Sequence, residues 1–507
     1  MPILFTSLFF LTLFFRLASP ASAATYYVSR TGSDTNAGIA AAPFATFNKA
    51  VSVLNSGDEL LIKGGTYNER LVINKNGTAQ APISVRSAPG EKAIIDGQNA
   101  NNNLLDIPGS HILVSGLEIK NSSGYGTNLV GQNITLENSL VHHTSGHGIY
   151  VAGQQVTIRN NSVHDSNLIN AGRNAGSWGS GIKVKVGGDG INIIGNIVYH
   201  NYGEGIAVTR GKNTRVFGNS VYDNFGVNIY IDNSFDVMVE KNFSFCTPNR
   251  SYERDGHAAY AFAIGIEYYD GWGAQLARVT LKNNLTLNCY KGIGFWGSNV
   301  PGGGLKDVKI IHNTFWGNLN TAVSIAYSPD TAGSLIAGNI IEQKDQKLAW
   351  IENPSGISLH HNFWVGNPPA ASTNAGGPGD LSGDVRFAAS PAVNPDSFKL
   401  SGNSPAIDAI PSGLDVNDDF FASSRPQGSA FDIGAHEYAG NQPVLSPTPA
   451  SAKPGDANSD AKVDGLDYVI WLQNYNKSAT GAGSGDFNVN GFVDGLDYVI
   501  WLNNYNK

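Results

Sequence analysis

The sequence predicts an all-β solenoid of short parallel strands wound into stacked coils, joined through a linker to a small helical unit that carries two cation-binding loops. Two observations carry the solenoid. An alternating apolar strand, then Asn, then two or three mostly apolar residues recurs at a step of about 23 residues. The composition, with 60 Gly and only 15% charged residues, favours turns and stacked polar side chains over helices. A third observation carries the helical unit: residues 455–475 and 485–505 are near-duplicates, GDANSDAKVDGLDYVIWLQNY and GDFNVNGFVDGLDYVIWLNNY.

Read from the start, residues 1–23 have the apolar run and small-residue cleavage site of a secretory signal peptide, Ile3 to Phe15 followed by Ala21-Ser22-Ala23. The run is shorter than the ~20 residues a membrane span needs. The expectation is therefore a secreted protein, extracellular or tethered at the cell surface, with no membrane span once the signal is removed. A net charge of -8 argues against a nucleic-acid partner, which needs clustered Lys and Arg. The solenoid body is expected over 24–440, a Pro-, Ser- and Ala-rich linker over 441–454 and the helical unit over 455–507.

Aligning the repeats on their Asn gives Asn138, Asn161, Asn196, Asn219, Asn242, Asn284, Asn313, Asn339 and Asn362, with Gly116 in the equivalent place one coil earlier. In a parallel coil these side chains sit roughly 4.8 Å apart and can hydrogen-bond up the stack, which is a structural role. The same alignment puts Cys246 and Cys289 in neighbouring coils, as a disulfide or as a stacked thiol pair. His142, Asp165, His200 and Asp223 fall four past the Asn on successive coils, either a catalytic column or a hydrogen-bonded ladder.

A second strand recurs in each repeat as GIYV, GIKV, GIAV, NIYI and GIGF. Its apolar members Ile182, Val184, Ile206, Val208, Ile229 and Ile231 must point inward, which turns Lys183 and Lys185 outward. Arg210, Lys212, Asp232 and Glu267 follow in later coils, with Asp270 slightly farther along, a mixed-charge strip suited to an acidic sugar chain. Longer steps, Asn161 to Asn196 and Asn242 to Asn284, mark loops leaving one face. Trp178, Tyr268, Tyr269, Trp272, Trp296 and Trp316 lie in or beside such loops, where flat rings stack on sugars or pack the loops down. His147, Glu204 and His257 lie near the same bend and offer an acid or base to a hydrolase.

At this point the chain resembles the right-handed parallel β-helix family that includes pectate lyases, over roughly Ala24 to Tyr438. The opening TYYVSRTGSDTNAG, the amphipathic PFATFNKAVSVL and the strand GDELLIKGGTYNE look like that family's N-terminal cap helix and first coil, and SPAIDAI with RPQGSAFDIGAHEY looks like its common tail. The segment GIKVK is similar to the Gly-apolar-x-x-Lys strand of family nine pectate lyases, which implies Lys185 as base, although Ser180 stands where that family has Asp; Lys183 and Arg210, from the outward strip, are the further catalytic candidates. A polysaccharide lyase must take the proton at C5 of a uronate, alpha to its carboxyl group, and neutralise the carboxylate. The resemblance extends calcium to the active site, although the family's cluster of Asp ligands is not matched. A non-catalytic glycan-binding or surface structural β-helix, or a glycoside hydrolase on the same fold, are the alternative readings.

In the first duplicate Asp456, Asn458, Asp460, the Lys462 carbonyl, Asp464 and Asp467 take loop positions one, three, five, seven, nine and twelve, the oxygen spacing that wraps Ca²⁺. Asp486, Asn488, Asn490, the Phe492 carbonyl, Asp494 and Asp497 repeat it. Ala461 stands where Gly usually makes the sharp turn, and Asn490 replaces an acid. With Asp at position twelve and one helix after each loop, the unit resembles a type I dockerin, which implies a cohesin-bearing scaffold or surface protein as partner. Calcium-stapled folding without a partner is the alternative.

Overall fold

A computed structural model describes residues 23–100, 102–174, 176–267, 276–297, 304–326, 328, 330–343, 347–412, 414–440, 453–458, 462–479, 481–489 and 491–505. The expected signal peptide and most of the linker lie outside these residues, as do Tyr268, Tyr269, Asp270, Trp272, Asp460, Ala461 and Asn490.

The body is a parallel β-helix. Among the described residues three parallel sheets of 13, 11 and 13 strands run its length, each strand pairing with the equivalent strand one coil away. A typical coil runs Gln132–Glu137 in the first sheet, Leu140–Thr144 in the third and Ile149–Val151 in the second. Each coil thus holds three strands, consistent with the at least two that the repeat pattern implies; pieces such as Ile197–Tyr199 are too short to display alternation. Parallel crossovers wind right-handed.

The inward set holds. Ile182, Val184, Ile206, Val208, Ile229 and Ile231 belong to one continuous apolar core that runs up the axis. The expected cap helix spans Phe47–Val53; Thr46 caps it by accepting from the Lys49 N–H, and Phe47, Ala50 and Val51 are buried against the first coils, which shields the open end of the stack. Phe387, Phe398, Phe420 and Ala435, from the tail, cover an apolar stripe on the third sheet made by Phe243, Phe245, Leu285 and Trp316. Arg425 locks this tail: fully buried, it donates to Glu437 at 2.7 Å and to the Gly434 carbonyl at 2.7 Å.

From Asn161 to Asn362 the asparagines form an unbroken buried ladder. Each side-chain oxygen accepts from the backbone N–H of the preceding Asn, at 2.8–3.1 Å from Asn161–Asn196 to Asn339–Asn362. Each Nδ2 caps a carbonyl of the previous coil, as Asn242 does for Val216. Asn138 is not a rung, which corrects the sequence alignment. It sits one residue early, in a left-handed turn (φ 51°) that Gly116 also adopts, and Ser139 occupies the seat, donating its N–H to Asn161.

That slip also corrects the histidine column. His142 pairs with His164, and then Tyr199 and Tyr222 follow, a ring stack at 4.9–5.0 Å steps. His143, Asp165, His200 and Asp223 form the neighbouring column, all left-handed. Both columns lie on the third sheet. Cys246 and Cys289 are joined as a disulfide.

In the C-terminal unit, helices Gly465–Asn474 and Gly495–Asn504 pair across a two-strand ribbon, Lys477–Ser478 with Phe492–Val493. Each helix's tryptophan binds the other copy's loop: Trp471 donates to the Asp494 carbonyl at 2.9 Å and Trp501 to the Asp464 carbonyl at 2.8 Å.

Candidate active site

The outward row of the second sheet reads Tyr150, Lys183, Ala207, Tyr230, Ala263, Gly294 on successive coils. Ala207 separates Lys183 from Tyr230, and the small Ala263 and Gly294 follow, so these residues make a low floor along which the Tyr230 ring lies. Over this floor the residues inserted after Ser166 and after Phe245 build side walls, leaving a cleft of about 640 Å³. Lys183, Lys185, Glu204, Glu267, Tyr230, Trp178, Trp296, His147 and Arg254 are among its lining residues.

Lys185 follows directly on the strand Ser180–Val184. Burial, and then the nearby charges of Lys183 and Arg210, hold its ammonium below the usual lysine value, against a weaker pull from Glu204 and Asp232. A lysine in that setting gives up its proton more readily and can serve as a base.

Lys183 points outward as its alternation requires, yet it is only 5% exposed. Its ammonium pairs with Glu204 at 3.2 Å, and Glu204 also accepts from the Ser180 hydroxyl at 2.6 Å. The position that reads as Asp in the resembling family therefore serves here to hold Glu204. Asp232, expected on a surface strip, is fully buried and accepts from the Glu267 N–H at 3.0 Å. Arg210 lies beside the cleft, its backbone N–H donated to the Asp232 carbonyl at 2.9 Å. Glu204 and Glu267 are thus tied to different partners, and among the described residues no three His, Cys, Asp or Glu gather as a metal site in the cleft.

Two aromatic faces flank the lysines. Trp178, 40% exposed, rests over Gly226 and Phe225 with the Arg254 guanidinium 4.6 Å from its ring centre. Trp296 stacks on Tyr230 at 5.1 Å, and Tyr230 donates to Glu267 at 2.9 Å. Tyr230 can lie flat because Gly265 is below it: a Cβ there would meet its hydroxyl at 2.3 Å. Trp316, by contrast, lies on the third sheet against Phe387 at 5.0 Å, packing the tail.

Sequence reasoning missed Tyr230, Arg254, Asp255 and Tyr260 as cleft residues. Tyr230 could have been found, since NIYI alternates like its neighbours; Arg254 carries no periodic signal. His257 joins the lining, stacked on Tyr290 at 3.8 Å.

In the C-terminal loops the carboxylates at position twelve organise the turn. Asp467 accepts from Ala457, Asn458 and Asp464 N–H groups at 2.8–3.1 Å, and Asp497 from Asn488 and Asp494 at 2.8–2.9 Å. Burial and the charges of Asp494 and Asp486 push Asp497 up to about 8; burial, then Asp486, pushes Asp494 up to about 6. Buried acids that repel one another across one loop fit a hard divalent cation, whose charge removes that penalty. Among the described residues the other expected loop ligands are Asp456, Asn458, Lys462, Asp464, Asp486, Asn488 and Phe492, and no three His, Cys, Asp or Glu gather in these loops as a metal site.

Residues 26–236 match the family model described as Pel9A-like, right handed beta helix region. The chain is similar to pectate lyase PEL9 of Emericella nidulans, 39% identical over 90 residues that are 17% of this chain and 22% of that protein. It thus spans about a fifth of the length of that curated relative. Among solved structures it is similar to XylC in complex with xylose, 12% identical with a TM-score of 0.57, covering 82% of this chain and 98% of that one. It is also similar to pectate lyase Pel9A, 19% identical with a TM-score of 0.48, covering 82% and 96%. The body is a right-handed parallel β-helix.

Proposed function

We propose that this protein is a secreted polysaccharide lyase that cleaves a uronate-containing polysaccharide by β-elimination. The observation that carries the reading is Lys185, a lysine held below its ordinary pKa in a cleft between Trp178 and Trp296. Its neutral Nζ takes the C5 proton. The C5–H electron pair spreads into the C6 carboxylate and then forms the C4=C5 bond as the C4–O4 bond breaks, and the departing O4 takes a proton. Arg210 and Lys183 supply positive potential beside the developing charge. The match of residues 26–236 to the Pel9A-like region and the pectate lyase relative support the assignment.

The C-terminal unit, in this reading, binds calcium through Asp456, Asn458, Asp460, Lys462, Asp464, Asp467 and their duplicates, and tethers the enzyme to a cohesin-bearing scaffold or surface protein. Bound calcium supplies charge that orders the two loops.

Incubating the protein with a panel of uronate polymers tests the lyase. Absorbance rising at about 235 nm is expected, as the 4,5-unsaturated uronate forms. New reducing ends without absorbance would mean hydrolysis, and binding without either would mean a glycan-binding wall; both outcomes overturn the lyase reading.

A further inference from the structure

His147 lines the cleft beside the two lysines, and its protonation state is fixed by the backbone. The Ser180 N–H donates to its Nδ1 at 2.9 Å. A ring nitrogen that accepts a hydrogen bond carries no proton, so in the neutral imidazole the proton resides on Nε2. That Nε2–H has no hydrogen-bond partner among the described residues. The ring packs against the stacked pair Tyr125 and Tyr150, at centroid distances of 4.9 and 5.5 Å, the two tyrosines lying 4.9 Å apart, and swinging it breaks both contacts.

We propose that His147 is a permanently neutral hydrogen-bond donor, whose Nε2–H binds the carboxyl group of a uronate in the cleft and stabilises the charge that gathers there when Lys185 removes the C5 proton. This rests on the lyase reading and adds to it the group that receives the carboxylate. A donor of this kind suits the site. Burial, and then Lys183 and Lys185, push the imidazolium down to about 3, so His147 adds no third positive charge that would repel substrate-bound Lys185 once it is protonated. A fixed neutral donor aimed at developing charge is the arrangement that oxyanion sites use, because it needs no reorganisation during the reaction. The charged and titratable groups around the ring are Lys183 and Lys185 from the adjoining strand, the stacked pair Tyr125 and Tyr150 beside it, and Glu204, bound to the Ser180 hydroxyl.

Two measurements on the full chain decide it. In protein labelled with ¹⁵N-histidine, the His147 signal, assigned by its loss in His147→Gln, should show the Nε2–H form unchanged from pH 5 to 9. Its Nε2–H resonance should also shift as a galacturonate trisaccharide is added. An Nδ1–H form, a titration near the ordinary histidine value, or no shift at a saturating concentration overturns the proposal. In turnover assays His147→Gln and His147→Phe should each lower kcat by about 100-fold with KM changed less than about threefold, the pattern of an interaction made chiefly in the transition state. Variants that keep wild-type kcat overturn it as well. The spectra need no turnover, so a wild-type protein that is inactive on every polymer removes the lyase reading, while the trisaccharide titration still decides His147 by itself.

Discussion

Removing one rung of the asparagine ladder should cost far more than removing the asparagine that only imitates one. In Asn242→Ala the Nδ2 donations to the Val216 carbonyl (2.9 Å) and to Asn284 (3.0 Å) are lost, and the Asn219 backbone N–H loses its acceptor at 3.0 Å. That N–H is buried inside the wall and water cannot replace the oxygen. An orphaned buried donor costs about 1–3 kcal/mol and each of the two further hydrogen bonds about 1 kcal/mol, so about 3–5 kcal/mol in total is expected. With an unfolding entropy of about 2.1 cal/mol/K per residue over roughly 400 coil residues, this lowers Tm by about 4–6 °C. Asn138→Gly is the control. Asn138 reaches only Ser115, at 3.5 Å, from a left-handed turn that glycine adopts freely, so its loss should stay under about 1 kcal/mol. Calorimetry of both variants is the assay. If Asn242→Ala melts no lower than Asn138→Gly, the ladder does not hold the wall and the structural role assigned to it is wrong.

Lys185→Met should abolish turnover while leaving oligosaccharide binding largely intact, and the wild-type pH–rate profile should rise with pH through a value below that of an ordinary lysine, since only the neutral amine accepts the C5 proton; a profile falling over that range would contradict the assigned base. Chelating calcium should lower the melt of the C-terminal unit and change the fluorescence of Trp471 and Trp501, whose indoles bind the opposite loops; a melt and emission unaffected by chelator would remove calcium from the account. Reducing the Cys246–Cys289 bond, which closes a loop of 43 residues, should destabilise the coil by up to about 4 kcal/mol in the chain-entropy account; an unchanged urea midpoint would show that the neighbouring strand pairs already fix that loop.

The coiled wall was legible because its information is local. Ile182 and Val184, or Ile229 and Ile231, declare their inward face within one strand, and a slip of one residue would bury Lys183 in the core instead. The ladder was legible from Asn161 onward for the same reason. It was misread at Asn138, where Glu-Asn-Ser puts an asparagine in the turn and a serine in the seat, a distinction that resides in backbone conformation. Three-residue strands such as Ile197–Tyr199 offer too few positions for a period. The cleft was half legible: Lys185, Trp178 and Trp296 come from the strand row and its loops, and the structure gathers them. That Lys183 and Asp232 would be covered, that Trp316 would serve the tail, and that Arg254 would sit on Trp178 depend on where long insertions fold back, which no single repeat encodes.

The row Tyr150, Lys183, Ala207, Tyr230, Ala263, Gly294 separates two tasks that most enzymes must reconcile in one side chain. Inward neighbours fill the core, while the outward members build the floor of the cleft through partners of their own, Lys183 with Glu204 and Tyr230 with Glu267 and Trp296. Ala207 and Ala263 lie two strand repeats apart on that frame with Tyr230 between them, and both are covered by the cluster that Val227, Tyr230, Tyr260 and Trp296 make over the wall. A longer group at either would push those rings outward and reshape the cleft, while the inward-facing core beneath stayed as it is.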